Sequence, residues 1–213
     1  MTSAMYHAGN RALQAAFGST ALADRLEERL HRTAFNDGDK AFIESLPFFF
    51  LATADAEGRP DCSFKGGRPG FVRVLAPDVL VFPDYDGNGM FKSLGNISAN
   101  PNIGLLFIAM NDAPKRLRVN GRAVVALDDP LIAEIPGAQA IVRVTPEHIF
   151  PNCPRYIPDA KTGAPSDYAP LPGALPVEPA WKSFDMFKDV LPGTQRGDGS
   201  GDGKDAAPGR DEP

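Results

Sequence analysis

The segment VFPDYDGNGMFKSLGNISANPNIGLLF, residues 81–107, contains two apolar runs separated by a polar, glycine-containing stretch. The first run begins two residues before this segment and covers 79–83; it is short and rich in Val, which predicts a strand. Residues 84–90 predict a loop, and 91–98 predict a helix that ends at Asn100-Pro101, because proline disfavours a helical conformation in the residue before it. The second run, 103–110, predicts a strand that is buried on both faces.

Working outward, the same reasoning predicts further strands at 48–54, 61–65, 71–75, 115–127 and 139–150. Short turn sequences between the early strands predict an antiparallel meander, and Gly121 within the 115–127 strand predicts a bulge or bend. Helices are predicted at 4–16, at 20–33, from a cap at Asp39 through Glu44, and at 181–190. Many short strands with one inserted helix predict an α+β fold, an antiparallel barrel with flanking helices.

Four regions follow from this pattern. Residues 1–46 are expected to be helices packed on the barrel, 47–150 the barrel, 151–191 an extended arm with a short helix, and 192–213 a disordered tail. The tail has no Leu, Ile, Val or aromatic residue, so it cannot bury enough apolar surface to offset the entropy of ordering.

Composition excludes several classes of function. The chain has 213 residues, a net charge of −5 and 43% hydrophobic residues; this predicts one sizeable core and argues against nucleic acid as a partner. Cys62 and Cys153 form no CxxC pair, and His7, His31 and His148 are scattered, so neither a disulfide framework nor a metal site is predicted. The absence of an apolar leader or an 18-residue apolar run predicts a cytoplasmic protein that does not enter a membrane.

The predicted helix at 91–98 has a cation in its first turn. Lys92 opposes the helix dipole there, and a bound anion would remove this conflict by meeting free backbone N–H groups, Lys92 and the Ser93 hydroxyl together. Gly87 and Gly89 allow the backbone to approach a ligand closely. The alternative is that Asn88 caps an ordinary surface helix and Lys92 points into water.

Helical spacing divides this helix into two faces. Phe91, Leu94 and Ile97 are expected to face the core, and a polar stripe is expected on the other side, formed by Asn88, Lys92 and Asn96.

Two basic residues precede this segment. If strands 61–65 and 71–75 pair, Lys65 and Arg73 lie on neighbouring strands. Alternation puts Phe71, Arg73 and Leu75 on one face, where an arginine requires an anionic partner or exposure. The alternative is an outward-facing arginine on a half-exposed sheet.

The order of these elements resembles the pyridoxamine phosphate oxidase-like family of FMN-binding split barrels. The resemblance covers about residues 42–126 and rests on FFFLATADAEGRPDCSFKGG (48–67), FVRVL (71–75), the 81–107 segment and LRVNGRA (117–123). YHAGNRALQ (6–14) and NCPRYI (152–157) resemble a subgroup. The resemblance implies an antiparallel split β-barrel with flanking helices and a homodimer that holds FMN non-covalently in a cleft between subunits.

The resemblance also implies a set of flavin contacts. The phosphate is expected at Lys92 and Ser93, the isoalloxazine ring along the strand backbone at 73–75, and a loop beside the flavin at 82–85. A further polar contact is expected on the strand at 61–65. The complete predicted set is Ser63, Lys65, Arg73, Val74, Leu75, Phe82, Asp84, Tyr85, Asn88, Lys92 and Ser93.

The sequence departs from the family's oxidase in two places: FVRVLAP lacks that enzyme's strand lysine, and no arginine-rich C-terminal segment is present. Pyridoxamine phosphate is therefore not the expected substrate. The arm NCPRYIP (152–158) is a candidate substrate contact, in which Arg155 holds an anionic small molecule and Tyr156 donates a hydrogen bond. The alternative is that this arm docks on the barrel and Cys153 is an inert thiol.

The expected function is that of an FMN-dependent oxidoreductase, which transfers electrons between a reduced donor or small substrate and the flavin. No catalytic acid or base is identified. One alternative is a non-enzymatic flavin- or haem-binding protein, with His148 as the plausible axial ligand, and another is an interaction module whose basic residues bind no cofactor.

Overall fold

The computed structural model describes residues 3–111, 113–169 and 177–192. The chain divides into two compact units, residues 1–26 with 180–213, and residues 27–179. The first unit contains α1 (Ala8–Ala16), most of α2 (Thr20–Leu30) and a single 3-10 turn at Ala180–Ser183. The helix predicted over 181–190 is thus shortened to this turn. Trp181, within the turn, packs edge-on against Phe187 with ring centroids 5.8 Å apart.

The second unit contains α3 (Asp37–Glu44) and all the strands of the described residues. The predicted cap at Asp39 is wrong, because Asn36 caps α3 by accepting from the Asp39 N–H at 2.8 Å. The Asp39 carboxylate accepts a hydrogen bond from the Asn36 N–H and two from the Arg32 guanidinium. Asp37 and Gly38 therefore lie inside the helix rather than interrupting it.

Seven antiparallel strands form one sheet in the order β2-β1-β5-β6-β7-β4-β3. The helix α4 (Lys92–Ala99) connects β4 to β5, and the short α5 (Leu131–Glu134) connects β6 to β7. The strands are β1 (Phe48–Ala54), β2 (Pro60–Gly66), β3 (Arg73–Ala76), β4 (Val79–Tyr85), β5 (Asn102–Ala109), β6 (Lys115–Ala126) and β7 (Ala138–Asn152). The predicted α+β fold with an antiparallel split barrel is confirmed.

The core lies on the inner face of this curved sheet. Phe49 on β1 is fully buried, and its ring centroid lies 5.0 Å from that of Phe82 on β4 and 5.3 Å from that of Phe107 on β5. Since β1 and β4 are far apart in the strand order, their contact shows that the sheet curls on itself around the aromatic side chains.

The meander predicted across 61–75 is wrong, because β2 and β3 lie at opposite edges of the sheet. The chain between them docks on other elements: the Gly67 N–H donates to the Pro47 carbonyl at 2.8 Å, and the Gly70 N–H donates to the Glu44 carbonyl at 2.7 Å. These bonds carry the chain across the end of the barrel instead of turning it back in a hairpin. Lys65 and Arg73 therefore do not lie on neighbouring strands.

The bulge predicted at Gly121 is confirmed. The β6–β7 register shifts between Asn120 and Gly121, and a Cβ at Gly121 would lie 2.9 Å from the Pro146 Cα and still closer to the Thr145 carbonyl oxygen. Only glycine allows the two strands to approach this closely.

None of the helices in the described ranges combines the length and apolar character that a membrane crossing requires. The prediction of a disordered tail falls, apart from Pro192, outside the described residues.

Candidate functional site

A cleft of about 340 Å³ opens between β2, the end of β4, the loop that follows β4 and the start of α4. Its lining combines two lysines with three carboxylates. The residues are Asp61, Cys62, Ser63, Lys65, Asp84, Tyr85, Asp86, Gly87, Asn88, Gly89, Met90, Phe91, Lys92, Ser93, Leu94 and Gln139. Of the predicted flavin contacts, the fold thus brings Ser63, Lys65, Asp84, Tyr85, Asn88, Lys92 and Ser93 together.

The N-terminus of α4 faces this cleft without a side-chain cap. Phe91 occupies the N-cap position in a left-handed conformation, φ 47°, and makes no capping hydrogen bond. The alternative in which Asn88 caps the helix is wrong, because its amide oxygen accepts instead from the Met90 N–H at 3.1 Å. The first N–H groups of α4 have no intrahelical acceptor and remain available to a ligand.

Lys92 and Ser93 stand beside these N–H groups. Ser93 is only 5% exposed, yet its hydroxyl makes no hydrogen bond to any residue that the structure describes, and Lys92 forms no ion pair within the same ranges. A helix N-terminus, a cation and an unpartnered hydroxyl at one point favour an anion, since each donor can bond an oxygen of the same group.

The second cleft lysine is held in place by Asp84. The Lys65 ammonium lies 3.7 Å from the buried Asp84 carboxylate, and Gln139 Nε2 donates to the same carboxylate at 2.9 Å and to the Tyr85 carbonyl at 3.2 Å. Lys65 comes from β2 and Asp84 from β4, so this ion pair joins two strands that are not neighbours in the sheet. Gln139 was not predicted, since only the β4–β7 register places it here.

The predicted faces of α4 are correct in part. Leu94 and Ile97 are buried, as expected, but Phe91 is exposed at the mouth of the cleft. Asn96 is buried rather than part of a polar stripe, and it donates to the Thr53 hydroxyl at 3.0 Å. The buried hydroxyl on β1 satisfies this amide, a pairing between distant segments that helical spacing does not reveal.

The predicted contacts at 73–75 do not line the cleft. The Val74 N–H donates to Glu44 Oε1 at 3.0 Å and the Val74 carbonyl accepts from Lys40 at 2.7 Å, so α3 already occupies the backbone of β3. Arg73 Nη1 lies 3.4 Å from Glu134 on α5. Phe82 is almost fully buried in the core and belongs to β4 rather than to a loop.

Arg155 and Tyr156 also lie away from the cleft of their own chain. They follow the C-terminal end of β7, whereas Gln139 is near its start, and an extended strand from 139 to 152 spans roughly 40 Å. His148, the predicted haem ligand, is likewise outside the cleft; its Nδ1 lies 2.9 Å from His31 Nε2 in a hydrogen-bonded pair.

Residues 35–153, more than half of the chain, match the sequence profile of the pyridoxamine 5'-phosphate oxidase family. The chain belongs to this family. The matched range includes the whole seven-stranded sheet and every residue of the cleft lining.

Solved structures are similar to this family member at low identity. HupZ of Group A Streptococcus shares 18% identity, with 62% of this chain and 98% of HupZ covered and a TM-score of 0.44. HutZ, a haem storage protein of Vibrio cholerae, shares 20% identity over 54% and 91% of the two chains, TM-score 0.39. An FMN-binding protein of Syntrophomonas wolfei shares 10% identity over 67% and 96%, TM-score 0.42. No curated protein matches the chain in sequence.

Proposed function

We propose that this member of the pyridoxamine 5'-phosphate oxidase family binds FMN and acts as an FMN-dependent oxidoreductase on a small molecule. The observation that carries the proposal is the start of α4, where uncapped N–H groups, Lys92 and the unpartnered Ser93 hydroxyl meet at one wall of the cleft. These donors fit a phosphate monoester, because its oxygens accept charge-assisted hydrogen bonds from all of them.

Lys65 would supply the second positive charge. Its ion pair with Asp84 fixes the ammonium on the β2 side of the cleft, opposite the start of α4, so a phosphate between them would be contacted from two sides. Asp84 offsets the charge of Lys65, and its carboxylate accepts hydrogen bonds, so it would suit a ligand that carries hydroxyl donors beside the phosphate, such as the ribityl hydroxyls of FMN.

We assign the isoalloxazine contact to β2 instead of β3. Cys62, Ser63 and Lys65 border the cleft. Since β2 is the first strand in the sheet order, the backbone groups along its outer edge have no strand partner in the described chain. An edge of alternating N–H and C=O groups matches the hydrogen-bonding edge of a flavin ring. FMN, when bound, supplies the two-electron chemistry; the chain supplies position and electrostatics.

We further propose that the protein works as a homodimer. Phe64 on β2 is 62% exposed; its ring centroid lies 5.4 Å from that of Phe48 and 6.1 Å from that of Phe50, both on β1. Register places these three rings on the outer face of the sheet. An exposed aromatic cluster of this kind is typical of a surface that a partner covers, and a second copy would also close the cleft.

Titration of the purified protein with FMN, followed by quenching of flavin fluorescence, tests the binding step. Addition of NADH, NADPH or a reduced deazaflavin under anaerobic conditions, with bleaching of the flavin absorbance as readout, then tests the oxidoreductase. We expect stoichiometric binding and bleaching by at least one donor. Failure to bind FMN contradicts the whole proposal, whereas binding without reduction by any donor supports the non-enzymatic flavin protein instead.

A further inference from the structure

Three buried polar atoms without a hydrogen-bond partner belong to residues at or just after the C-terminal end of β7 and on the strand beside it. They are Arg116 Nε, Asn152 Oδ1 and Arg155 Nε. Buried polar groups in native proteins nearly always have a partner, so each exception requires an explanation. Three exceptions at one place point to a shared explanation.

Strand pairing brings two of these residues together, and Arg155 follows three residues after Asn152 in the chain. Arg116 and Asn152 are directly opposite each other in the β6–β7 register. The Arg116 guanidinium donates through Nη2 to the carbonyl oxygen of Cys153, which fixes the guanidinium against the start of the turn that carries Arg155. Within the described ranges, neither arginine forms an ion pair with a carboxylate.

The backbone after Cys153 is strained in a way that fixes Arg155. Tyr156 has φ 68°, a left-handed conformation that is an outlier for a bulky residue, and the Ile157 N–H closes the turn on the Pro154 carbonyl at 3.3 Å. The Arg155 guanidinium carbon lies 5.6 Å from the centroid of the Tyr156 ring. Strain of this kind is retained at ligand contacts more often than elsewhere.

We propose that Arg116, Asn152 and Arg155 form a binding site for a small oxyanion, a carboxylate or a phosphate. Each Nε–H together with a neighbouring Nη–H presents the planar fork that bonds two oxygens of such a group at once. With its amide turned over, Asn152 would present an NH2 donor in place of the unpartnered oxygen, and the two orientations are equivalent in shape. The oxyanion would then satisfy all three atoms.

This oxyanion site does not depend on FMN binding. Arg116 on β6 pairs with Asn152 at the end of β7 opposite to Gln139, Arg155 follows that end, and none of the three lines the cleft. A substitution at Lys92 that abolishes FMN binding is therefore expected to leave oxyanion binding intact. A substitution at Arg155 that abolishes oxyanion binding is expected to leave FMN binding intact.

Nitrogen-15 NMR of the arginine Nε–H groups tests the site directly. The full chain is titrated with inorganic phosphate and, in a separate series, with succinate, at constant ionic strength; the Arg116 and Arg155 signals are assigned with Arg116→Lys and Arg155→Lys. We expect both signals to shift with one common dissociation constant in at least one series. Arg155→Gln should weaken that binding about tenfold or more, since a charge-assisted pair is lost.

Arg118→Gln is the matched control, because Arg118 is exposed on β6 two residues after Arg116 and lies on the same face of the strand. It should leave the affinity unchanged. The proposal is overturned if neither anion shifts the two Nε–H signals, if Arg118 responds as strongly as they do, or if Arg155→Gln, with a wild-type backbone spectrum, binds as tightly as wild type. The series that responds distinguishes phosphate from carboxylate.

Discussion

Lys92 is the residue on which the phosphate assignment depends most directly. A charge-assisted hydrogen bond contributes about 1.5–3 kcal/mol, and about 1.4 kcal/mol is a factor of ten. Lys92→Ala should therefore weaken FMN binding roughly ten- to a hundredfold, as measured by fluorescence titration. Riboflavin, which lacks the phosphate, should bind the variant and the wild type equally. The apo-protein should be as stable as wild type or slightly more so, because Lys92 opposes the dipole of α4.

Arg73→Ala is the matched control for this prediction. The sequence suggested Arg73 as a flavin contact, but the structure places it beside Glu134 and away from the cleft. It should leave FMN affinity unchanged within a factor of about two. If Arg73→Ala weakens FMN binding and Lys92→Ala does not, the phosphate lies elsewhere and the original strand assignment is correct.

Asp129, in the connection after β6, forms an ion pair with Arg143 on β7. Its side chain is 3% exposed and accepts from Arg143 Nε at 2.5 Å and Nη2 at 3.1 Å, as well as from the Leu131 N–H that begins α5. The Arg143 hydrogen bonds hold the pKa of Asp129 below its usual value. Asp129→Asn should lower the free energy of unfolding by about 1.5–3 kcal/mol at pH 7, as measured by urea denaturation.

The pH dependence of this effect follows from the direction of the shift. A carboxyl whose folded-state pKa is depressed stabilises the fold above its unfolded value, about 3.9, and loses that contribution as pH falls through the folded-state pKa. The difference between wild type and Asp129→Asn should therefore shrink below about pH 4. If wild type and Asp129→Asn differ in the free energy of unfolding by the same amount at pH 7 and in acid, the charge of Asp129 does not contribute to stability and only its packing does.

At the scale of single elements, two glycines give opposite expectations for the same change. Gly121 sits in the β6 bulge against the Thr145 and Pro146 backbone, whereas a Cβ on Gly95 in α4 would have no contact within 4 Å. Gly121→Ala should lower the free energy of unfolding by at least about 2 kcal/mol, because the backbone of the facing strand cannot move away from the new Cβ. Gly95→Ala should raise stability by about 0.5–1 kcal/mol, because alanine loses less conformational entropy in a helix. Denaturant titration of both variants checks the pair; similar effects would contradict the bulge geometry.

Local elements were predictable because their signals are local. The apolar run 48–54, the Val79–Pro83 run, the helix before Asn100-Pro101 and the bulge at Gly121 all carry their information within a few residues. The strand order was not predictable from the sequence, because it depends on where the 67–72 connection docks. Two hydrogen bonds, from Gly67 and Gly70, separate β2 from β3, and nothing in FVRVL itself signals this.

The candidate site shows the same division. The helix pattern selected Lys92 and Ser93 and the family resemblance added Lys65, and the fold brings all three to the cleft. Gln139 and the pairing of Lys65 with Asp84 were not predictable, because they join residues from β2, β4 and β7 whose register is set by the whole barrel. The position of Arg73 outside the cleft depends on the same long-range register.

For the whole molecule, assembly is the open prediction. Light scattering should give the mass of a dimer, because the rings of Phe48, Phe50 and Phe64 would otherwise face water. Phe64→Glu should shift the population toward monomer and weaken FMN binding, since a partner would help close the cleft. As control, Val177→Glu changes an equally exposed apolar residue outside the sheet and should leave the mass unchanged. A wild-type monomer that binds FMN would refute the dimer.

The hydrogen bonds that join Glu44 and Lys40 of α3 to the backbone of β3 have a consequence for solubility. A bare edge strand is a template for cross-β growth between molecules, and α3 blocks that route at β3 by occupying the Val74 backbone. The other edge strand, β2, borders the cleft, and in the described chain no strand pairs with its outer edge. A flavin or a second subunit bound at β2 would cover this edge. Protein without FMN should therefore form fibrils or precipitate faster than FMN-bound protein at the same concentration.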